Sequence, residues 1–242
     1  SKFSLLQPNT FNSVMGPTGS GKSTFINLAT GIETDIGHGL QSRTSGMNIY
    51  KLEFPGLSSF NLVFIDTPGF DDTHLPDIEI LRLISDWLSK TFKNRVLLSG
   101  LLYLHRISDN RMAGTPLKNL RMFEKLCGEK MLHNVILTTT MWEEVDEKTG
   151  RIRENELKSN FWHGMIHNGS TTCRLEKQTQ AAAFKVLEPL LDRAVERNSL
   201  LIQDELVKMH MTLPETAAGQ TLSSELKLVL KKQHDILRKI RH

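Results

Sequence analysis

The sequence has little of what a disulfide framework, a structural zinc site or a membrane helix requires. Its 242 residues include two cysteines, Cys127 and Cys173, without a second pair or a histidine at metal-ligand spacing. Both thiols are expected to be buried and reduced. No apolar run approaches the ~20 residues of a membrane helix, and no cleavable signal precedes the first motif. A cytoplasmic protein is therefore predicted.

The charge is nearly balanced, since 30 basic and 27 acidic side chains give a formal net charge of +3. This balance does not single out an anionic partner, and no nucleic-acid partner is predicted. With 39% hydrophobic residues, the chain is able to bury one substantial core. We predict one domain over residues 1–198 and a C-terminal helical extension over residues 199–242.

Short apolar runs alternate with helical patterns along the chain. Buried strands are predicted at Thr10–Met15, Asn61–Asp66, Val96–Leu104 and His133–Thr138, with a further strand candidate at 170–175. Helices are predicted at Ser23–Thr30, from Thr115 to a stop at Gly128, at Glu154–Met165 and at Gln178–Arg197. The alternation predicts an α/β fold with a mostly parallel sheet flanked by helices. Ligands are expected at the carboxyl ends of its strands.

A glycine-rich stretch between the first predicted strand and helix matches the Walker A pattern at every position. Its backbone N–H groups are expected to surround phosphates, with Lys22 reaching the β- and γ-oxygens and Ser23 ligating Mg²⁺. Thr24 is included among the nucleotide-binding residues. The stretch consists of Gly16, Pro17, Thr18, Gly19, Ser20, Gly21, Lys22 and Ser23. It predicts a P-loop nucleotide-binding domain.

Asp66 ends an apolar run and is followed by Thr67-Pro68-Gly69. Asp66 is placed to hold Mg²⁺ through water, and the Gly69 N–H is placed to meet the γ-phosphate. This arrangement couples a γ-phosphate contact to the loop Phe70–Pro76, which favours a GTPase over other Walker A proteins. The loops Ile36–Met47 and Phe70–Pro76 are expected to order with the γ-phosphate and to release on hydrolysis.

The sequence resembles the septin-like branch of TRAFAC GTPases, which includes septins, chloroplast import receptors and the AIG1-like immunity-associated GTPases. Fungal intracellular members are the most similar. The residues that carry the resemblance are Gly16–Ser23, Ser42-Arg43-Thr44, Asp66–Gly69 and Leu102-Tyr103-Leu104-His105-Arg106. The resemblance implies a Ras-like G domain that binds GTP and GDP with Mg²⁺.

In this branch a threonine of the first switch loop closes on Mg²⁺ and the γ-phosphate. Thr44 is similar to that residue, so the resemblance gives it a metal-binding and catalytic role. Ser45 and Thr34 are weaker candidates. All of them are equally well explained as solvated loop hydroxyls.

Phe70 stands where Ras-like enzymes carry the glutamine that positions water. Relatives in this branch often dimerise across the nucleotide, and the partner supplies a polar or basic residue to the site. The pattern match places His105 and Arg106 at the strand end that corresponds to that residue. A trans arginine would stabilise charge on the transferring phosphoryl group. A surface His-Arg pair explains the two residues equally well. The resemblance thus implies a nucleotide-dependent homodimer.

The base-recognition motif should follow the fourth predicted strand. Its usual four positions are asparagine or threonine, then lysine, then any residue, then aspartate, and this pattern is absent. One register puts Thr140 first, Met141 in the lysine position and Glu143 where a carboxylate accepts hydrogen bonds from guanine. The other register leaves no carboxylate. Glu143 and Glu144 are also explained as a solvated helix start. A later base-contacting loop is predicted at His167-Asn168-Gly169.

The C-terminal extension carries an apolar seam at alternating spacings of four and three. We predict a helix that packs back on the domain, with a coiled-coil or membrane partner as the alternative. The seam positions are Leu222, Leu226, Val229, Gln233, Ile236 and Ile240, and the polar Gln233 interrupts the seam once.

These patterns predict a slow or dimer-activated GTP hydrolase. Water would attack in line, and Lys22, Gly69 and the phosphate-loop amides would stabilise the developing charge. Two alternatives stay open. The missing glutamine favours a nucleotide-binding assembly scaffold with negligible turnover, and the altered base motif favours an ATPase.

Overall fold

The computed structural model describes residues 9–31, 47–52, 61–72, 75–112, 114–192 and 198–223. These residues form an α/β domain around a six-stranded sheet. The strands are β1 (Asn9–Met15), β2 (Asn48–Leu52), β3 (Asn61–Asp66), β4 (Gly100–Arg106), β5 (Val135–Thr140) and β6 (Thr171–Arg174). The helices are α1 (Lys22–Thr30), α2 (Asp77–Lys93), α3 (Thr115–Cys127), α4 (Glu147–Glu156), α5 (His163–His167), α6 (Gln180–Asp192) and α7 (Leu201–Gln203).

The sheet has the order β2-β3-β1-β4-β5-β6. Its neighbouring strands run parallel, except that β2 is antiparallel to β3. Val14 in β1 pairs with Asp66 in β3, and Met15 pairs with Tyr103 in β4. The carboxyl ends of the parallel strands therefore meet at one edge of the sheet, where the connecting loops form a site.

Side chains alternate between the two faces of β4, and each face is covered by its own hydrophobic core. Leu101 and Tyr103 pack in the cluster that includes α2 and α3. Leu102 and Leu104 pack in the cluster that includes α1 and α6. The alternation decides which way the residues at the end of β4 face.

The predicted fold class, an α/β domain with a mostly parallel sheet, is confirmed. The predicted strand Asn61–Asp66 has the bounds of β3, and α3 begins at Thr115, as expected from the proline in its first turn. Gly128, with φ 72°, follows its end. The edge strand β2 and the helix α2 were missing from the sequence-based prediction.

Other boundaries need correction. β4 begins at Gly100 rather than Val96 and extends through Arg106, and β5 begins at Val135 and reaches Thr140. The helix predicted at Glu154–Met165 is instead the end of α4, a π-helical turn at Leu157–Phe161, and α5. Because both strands extend further than predicted, residues that were expected in loops lie in the sheet.

The described part of the C-terminal extension packs against the domain. Leu200, Ile202, Ala218 and Leu222 lie in the cluster that α2 and α3 share. The seam positions beyond residue 223 lie outside the described residues. Of the described helices, none combines the length and the apolar character that crossing a membrane requires.

Candidate nucleotide-binding site

The loop between β1 and α1 has a backbone that few residues other than glycine adopt. Gly16, Gly19 and Gly21 have φ angles of 143°, 76° and 88°. A Cβ on Gly16 would lie 2.4 Å from the carbonyl oxygen of Leu104. Because α1 begins directly after this loop, at Lys22, its N-terminal N–H groups are available to an anion. The loop has the geometry of a phosphate cradle.

Lys22 is buried within this loop, with 7% of its surface exposed. Its Nζ donates hydrogen bonds to the carbonyl oxygens of Gly16 at 3.1 Å and Pro17 at 2.9 Å. Burial lowers the Lys22 pKa to about 8, while the charge of Asp66 opposes the shift and that of Arg106 adds to it. A phosphate beside this ammonium group would stabilise its charged form.

Ser23 and Asp66 bring two oxygen ligands together beside Lys22. The Ser23 hydroxyl donates to Asp66 Oδ2 at 2.8 Å, and Asp66 Oδ1 is buried without a hydrogen-bond partner. Burial raises the Asp66 pKa, although the hydrogen bond from Ser23 and the charge of Lys22 oppose this shift. A hydroxyl and a carboxylate are ligands that Mg²⁺ accepts. The arrangement therefore fits a magnesium ion shared with phosphate oxygens.

The segment after β3 lies directly on the phosphate loop. A Cβ on Gly69 would lie 2.7 Å from Lys22 Nζ and 2.5 Å from Thr18 Oγ1, so only glycine fits without displacement. The Thr18 N–H donates to the Phe70 carbonyl oxygen at 2.8 Å. The Phe70 side chain is fully buried in the core. The predicted Gly69 sensor thus lies beside the lysine that is predicted to reach the phosphates.

The residues of the first register of the base motif, Thr140, Met141 and Glu143, line one depression beside the phosphate loop. The Thr140 hydroxyl, at the end of β5, donates to the Ser20 carbonyl oxygen at 3.0 Å and so joins this loop to the phosphate loop. Glu143 is exposed, and its Oε1 accepts a hydrogen bond from Gln178 Nε2 at 2.8 Å. A small depression between the two loops is lined by Gly21, Thr24, Thr140, Met141, Glu143, Leu175 and Gln178.

The second base-side loop was predicted at His167-Asn168-Gly169, and this position is wrong. These residues precede β6, and Gly169 packs against His133, which precedes β5, so they lie at the amino ends of the strands. Leu175 and Gln178, which follow β6, line the depression instead. Parallel strands place their carboxyl ends together, so the residues after the strand candidate at 170–175 were the ones to choose.

An ion-pair network supports the base-side loop from behind. The Trp142 indole N–H donates to Thr139 Oγ1 at 3.0 Å, and the Arg174 guanidinium lies 4.2 Å from the centre of the indole ring. Arg174 also makes two hydrogen bonds to Glu154, one of them from Nε at 3.0 Å. The loop that carries Glu143 is thus attached to β6 and α4.

The expected pair of His105 and Arg106 is not formed, because successive residues of β4 face opposite sides of the sheet. His105 is 3% exposed and lies edge-on to Trp162, with ring centres 6.2 Å apart. Burial lowers its pKa to about 4, with Asp109 opposing and Arg106 adding to the shift. In this position His105 is not available to a partner's nucleotide. Arg106 faces the phosphate loop of its own chain.

Several predicted residues lie outside the described part of the chain. They are Thr34, Ser42, Arg43, Thr44, Ser45, most of the loop Ile36–Met47, and positions 73–74 of the second loop. Among the described residues, no group of three or more His, Cys, Asp or Glu side chains is arranged to hold a metal ion. Of the residues predicted to bind the metal, Ser23 and Asp66 lie within the described part of the chain.

A phosphate loop, an Asp66–Gly69 segment packed on it and a base-side depression at one sheet edge define a P-loop G domain. The family of 50S ribosome-binding GTPases matches residues 12–139. The chain belongs to this GTPase family. No curated protein sequence matches the chain significantly.

Several solved structures share the fold at low sequence identity. Toc33 from Arabidopsis thaliana with Mg²⁺ and GMPPNP aligns with a TM-score of 0.59 and 15% identity, covering 78% of this chain and 87% of that one. A second structure was reported with the finding that dimerisation is important for the GTPase activity of the chloroplast translocon components atToc33 and psToc159. It aligns with a TM-score of 0.62 and 16% identity, covering 80% of this chain and 86% of that one. A bacterial selenocysteine-specific elongation factor aligns with a TM-score of 0.52 and 21% identity, covering 77% of this chain and 29% of that one. These similarities establish the fold.

Proposed function

We propose that this protein hydrolyses GTP with Mg²⁺ and changes its conformation or dimerisation with nucleotide state. The proposal places it in the septin-like, AIG1-like branch, as a fungal intracellular, cytoplasmic member. The observation that carries it is the contact of Ser23 with Asp66 at 2.8 Å beside Lys22. The residues proposed to bind phosphate, to bind metal and to sense the γ-phosphate are in contact with one another at this point of the fold.

The residues of this chain have distinct roles in the proposed reaction. The amides of the phosphate loop and Lys22 bind the phosphates and stabilise the charge that develops during phosphoryl transfer. Ser23 and Asp66 hold Mg²⁺, which neutralises phosphate charge when bound. Thr44 closes on the same group from the first switch loop. Glu143 accepts hydrogen bonds from guanine, and Thr140 holds its loop against the phosphate loop.

A conformational response is supported by the contact between the phosphate loop and the start of the second switch loop. The Thr18 N–H donates to Phe70 O, while Gly69 lies against Lys22. A γ-phosphate entering this position would compete for the same donors. Displacement of the Gly69–Phe70 backbone would then move the residues up to Pro76, which lead into α2.

A nucleotide-dependent homodimer is the second part of the proposal. Its support is the similarity of fold to Toc33, together with the reported importance of dimerisation for the GTPase activity of atToc33 and psToc159. In this chain, Phe70 is buried where a water-positioning glutamine would stand. A second protomer that contributes to the site would explain how such a domain reaches useful turnover.

The first experiment measures turnover of GTP and ATP side by side, with Mg²⁺ or with EDTA, and resolves products by chromatography. We expect Mg²⁺-dependent GDP formation whose specific activity rises with protein concentration. Lys22→Ala should abolish it. ATP turnover exceeding GTP turnover at matched concentrations would overturn the guanine assignment.

The alternative is a scaffold whose assembly depends on nucleotide occupancy alone. The burial of Phe70 favours it, because no water-positioning side chain stands at that position. Tight GTP binding without phosphate release at any protein concentration would support the scaffold and contradict the enzyme.

A further inference from the structure

Arg106 occupies a position between the phosphate loop and the base-side loop. It is the last residue of β4 and pairs in register with Thr140, the last residue of β5. Its side chain faces the phosphate loop, where Nη1 lies 3.2 Å from the position that a Cβ on Gly19 would take. Arg106 therefore brings a guanidinium group to the loop that binds phosphates in its own chain.

The surroundings hold this guanidinium in place without enclosing it. Arg106 Nε lies 3.0 Å from Asp109 Oδ1, and the Arg106 side chain is 37% exposed. The guanidinium is thus positioned by Asp109 and still accessible to a ligand.

The base motif of this chain has no cation at the position of its usual lysine. Met141 stands where the motif usually has lysine, and its Cε lies 3.6 Å from the Cβ position of Gly21. A thioether offers no charge to the nucleotide. The guanidinium of Arg106 lies on the neighbouring strand, in register with Thr140, which directly precedes Met141.

We propose that Arg106 binds the nucleotide of its own chain, contacting phosphate or ribose oxygens in place of the missing motif lysine, with Asp109 as its positioning residue. This assignment rests on the proposed function and replaces the trans role expected from the sequence. A guanidinium donates paired hydrogen bonds to phosphate oxygens. Because GDP and GTP share the α- and β-phosphates and the ribose, Arg106 should strengthen the binding of both.

The first test measures Kd for fluorescent GDP and GTP analogues at concentrations where sedimentation shows only monomer. Arg106→Ala should weaken both affinities by about tenfold or more, since charge-assisted hydrogen bonds are lost. Arg106→Lys should recover part of the loss, and Asp109→Asn should weaken binding less. Arg121→Ala, on the exposed side of α3, is the matched control and should bind normally. Circular dichroism checks that each variant is folded.

The second test mixes Arg106→Ala with Lys22→Ala and measures GTP turnover. If Arg106 acts in cis, neither chain has a complete site and mixing restores nothing. If it acts in trans, the Lys22→Ala chain supplies Arg106 to the other and turnover returns, which would overturn the assignment. Unchanged monomer affinity in Arg106→Ala would also overturn it while leaving the proposed function intact. Absence of GTP binding by the wild type would instead refute both.

Discussion

At the phosphate loop, a single lysine carries a charge that its surroundings disfavour. Burial lowers the pKa of Lys22 to about 8 in the free protein. A bound phosphate stabilises the ammonium form, so the pKa is higher in the complex. Above about pH 8 the complex holds a proton that the free protein has lost. Nucleotide affinity should therefore fall as pH rises through this range, by up to about tenfold per pH unit.

Calorimetric titration with GDP between about pH 7 and 9 measures this dependence. Buffers with different ionisation enthalpies report the proton uptake directly. Lys22→Arg keeps its charge over the whole range and should lose the inflection. A wild-type affinity that stays constant from pH 7 to 9 would contradict a lowered Lys22 pKa.

Glu143 is the residue on which base selection is predicted to depend. Its carboxylate accepts hydrogen bonds only, which suits the N1 and N2 donors of guanine. Glu143→Gln presents an amide donor, and xanthine carries a carbonyl oxygen in place of the 2-amino group. GDP affinity should fall by about tenfold or more while affinity for xanthosine diphosphate rises.

Competition binding with GDP and xanthosine diphosphate measures the exchange of preference. Glu144→Gln removes the adjacent carboxylate, which is also exposed, and should change neither affinity. Equal effects of the two substitutions would mean that Glu143 acts through general charge. No change with Glu143→Gln would remove it from the base site.

At the scale of elements, the sequence predicts the motifs better than the strand ends on which they lie. The Walker A pattern and Asp66–Gly69 are local signals, because adjacent residues bind the same phosphate groups. The ends of β4 and β5 are set by pairing with neighbouring strands, which no local pattern contains. Placing β4's end at Leu104 put His105 and Arg106 in one loop. Extending the strand by register separates them onto opposite faces.

β2 illustrates a second limit of the sequence. It is a short strand at the edge of the described sheet, and its Ile49 is 56% exposed. Little apolar burial distinguishes such a strand from a loop. The predicted switch loop before β2 contains Thr44, so the sequence predicts a metal ligand there without fixing its position.

The base-side loop depends on elements far from it in sequence. Burial acts to raise the Glu154 pKa, but hydrogen bonds from Arg174 and Lys158 outweigh it, and the pKa is lowered. Arg174→Ala should leave Glu154 with Lys158 alone and remove the cation over Trp142. We expect a loss of roughly 2–3 kcal/mol in unfolding free energy, together with weaker GDP binding.

Urea unfolding and GDP titration of the Arg174→Ala variant measure the two effects. Arg151→Ala, whose ion pair with Glu147 is exposed, should change stability by less than about 1 kcal/mol and is the matched control. Because the folded-state pKa of Glu154 is lowered, this stabilisation is present above its unfolded pKa and is lost as pH falls through the folded value. Equal losses for both variants near neutral pH would contradict a buried network.

At the scale of the whole molecule, residues after 198 share the hydrophobic core of the domain before them. Leu200 and Ile202 are fully buried in the cluster of α2 and α3. The Gln203 amide donates to the Leu88 carbonyl oxygen of α2 at 3.0 Å. The predicted boundary at residue 198 stays a prediction, but the side chains on its two sides stabilise each other.

This packing makes the C-terminal segment a determinant of stability for the nucleotide site. Leu200→Ala and Ile202→Ala should each lower the unfolding free energy by about 2–5 kcal/mol, because each leaves a cavity in a shared core. Met209→Ala, at a side chain that is 61% exposed, should cost about 0.5 kcal/mol or less. Urea unfolding followed by tryptophan fluorescence tests this, since Trp162 lies in the same cluster. If Leu200→Ala leaves the transition unchanged, the segment folds independently and the shared core does not support the site.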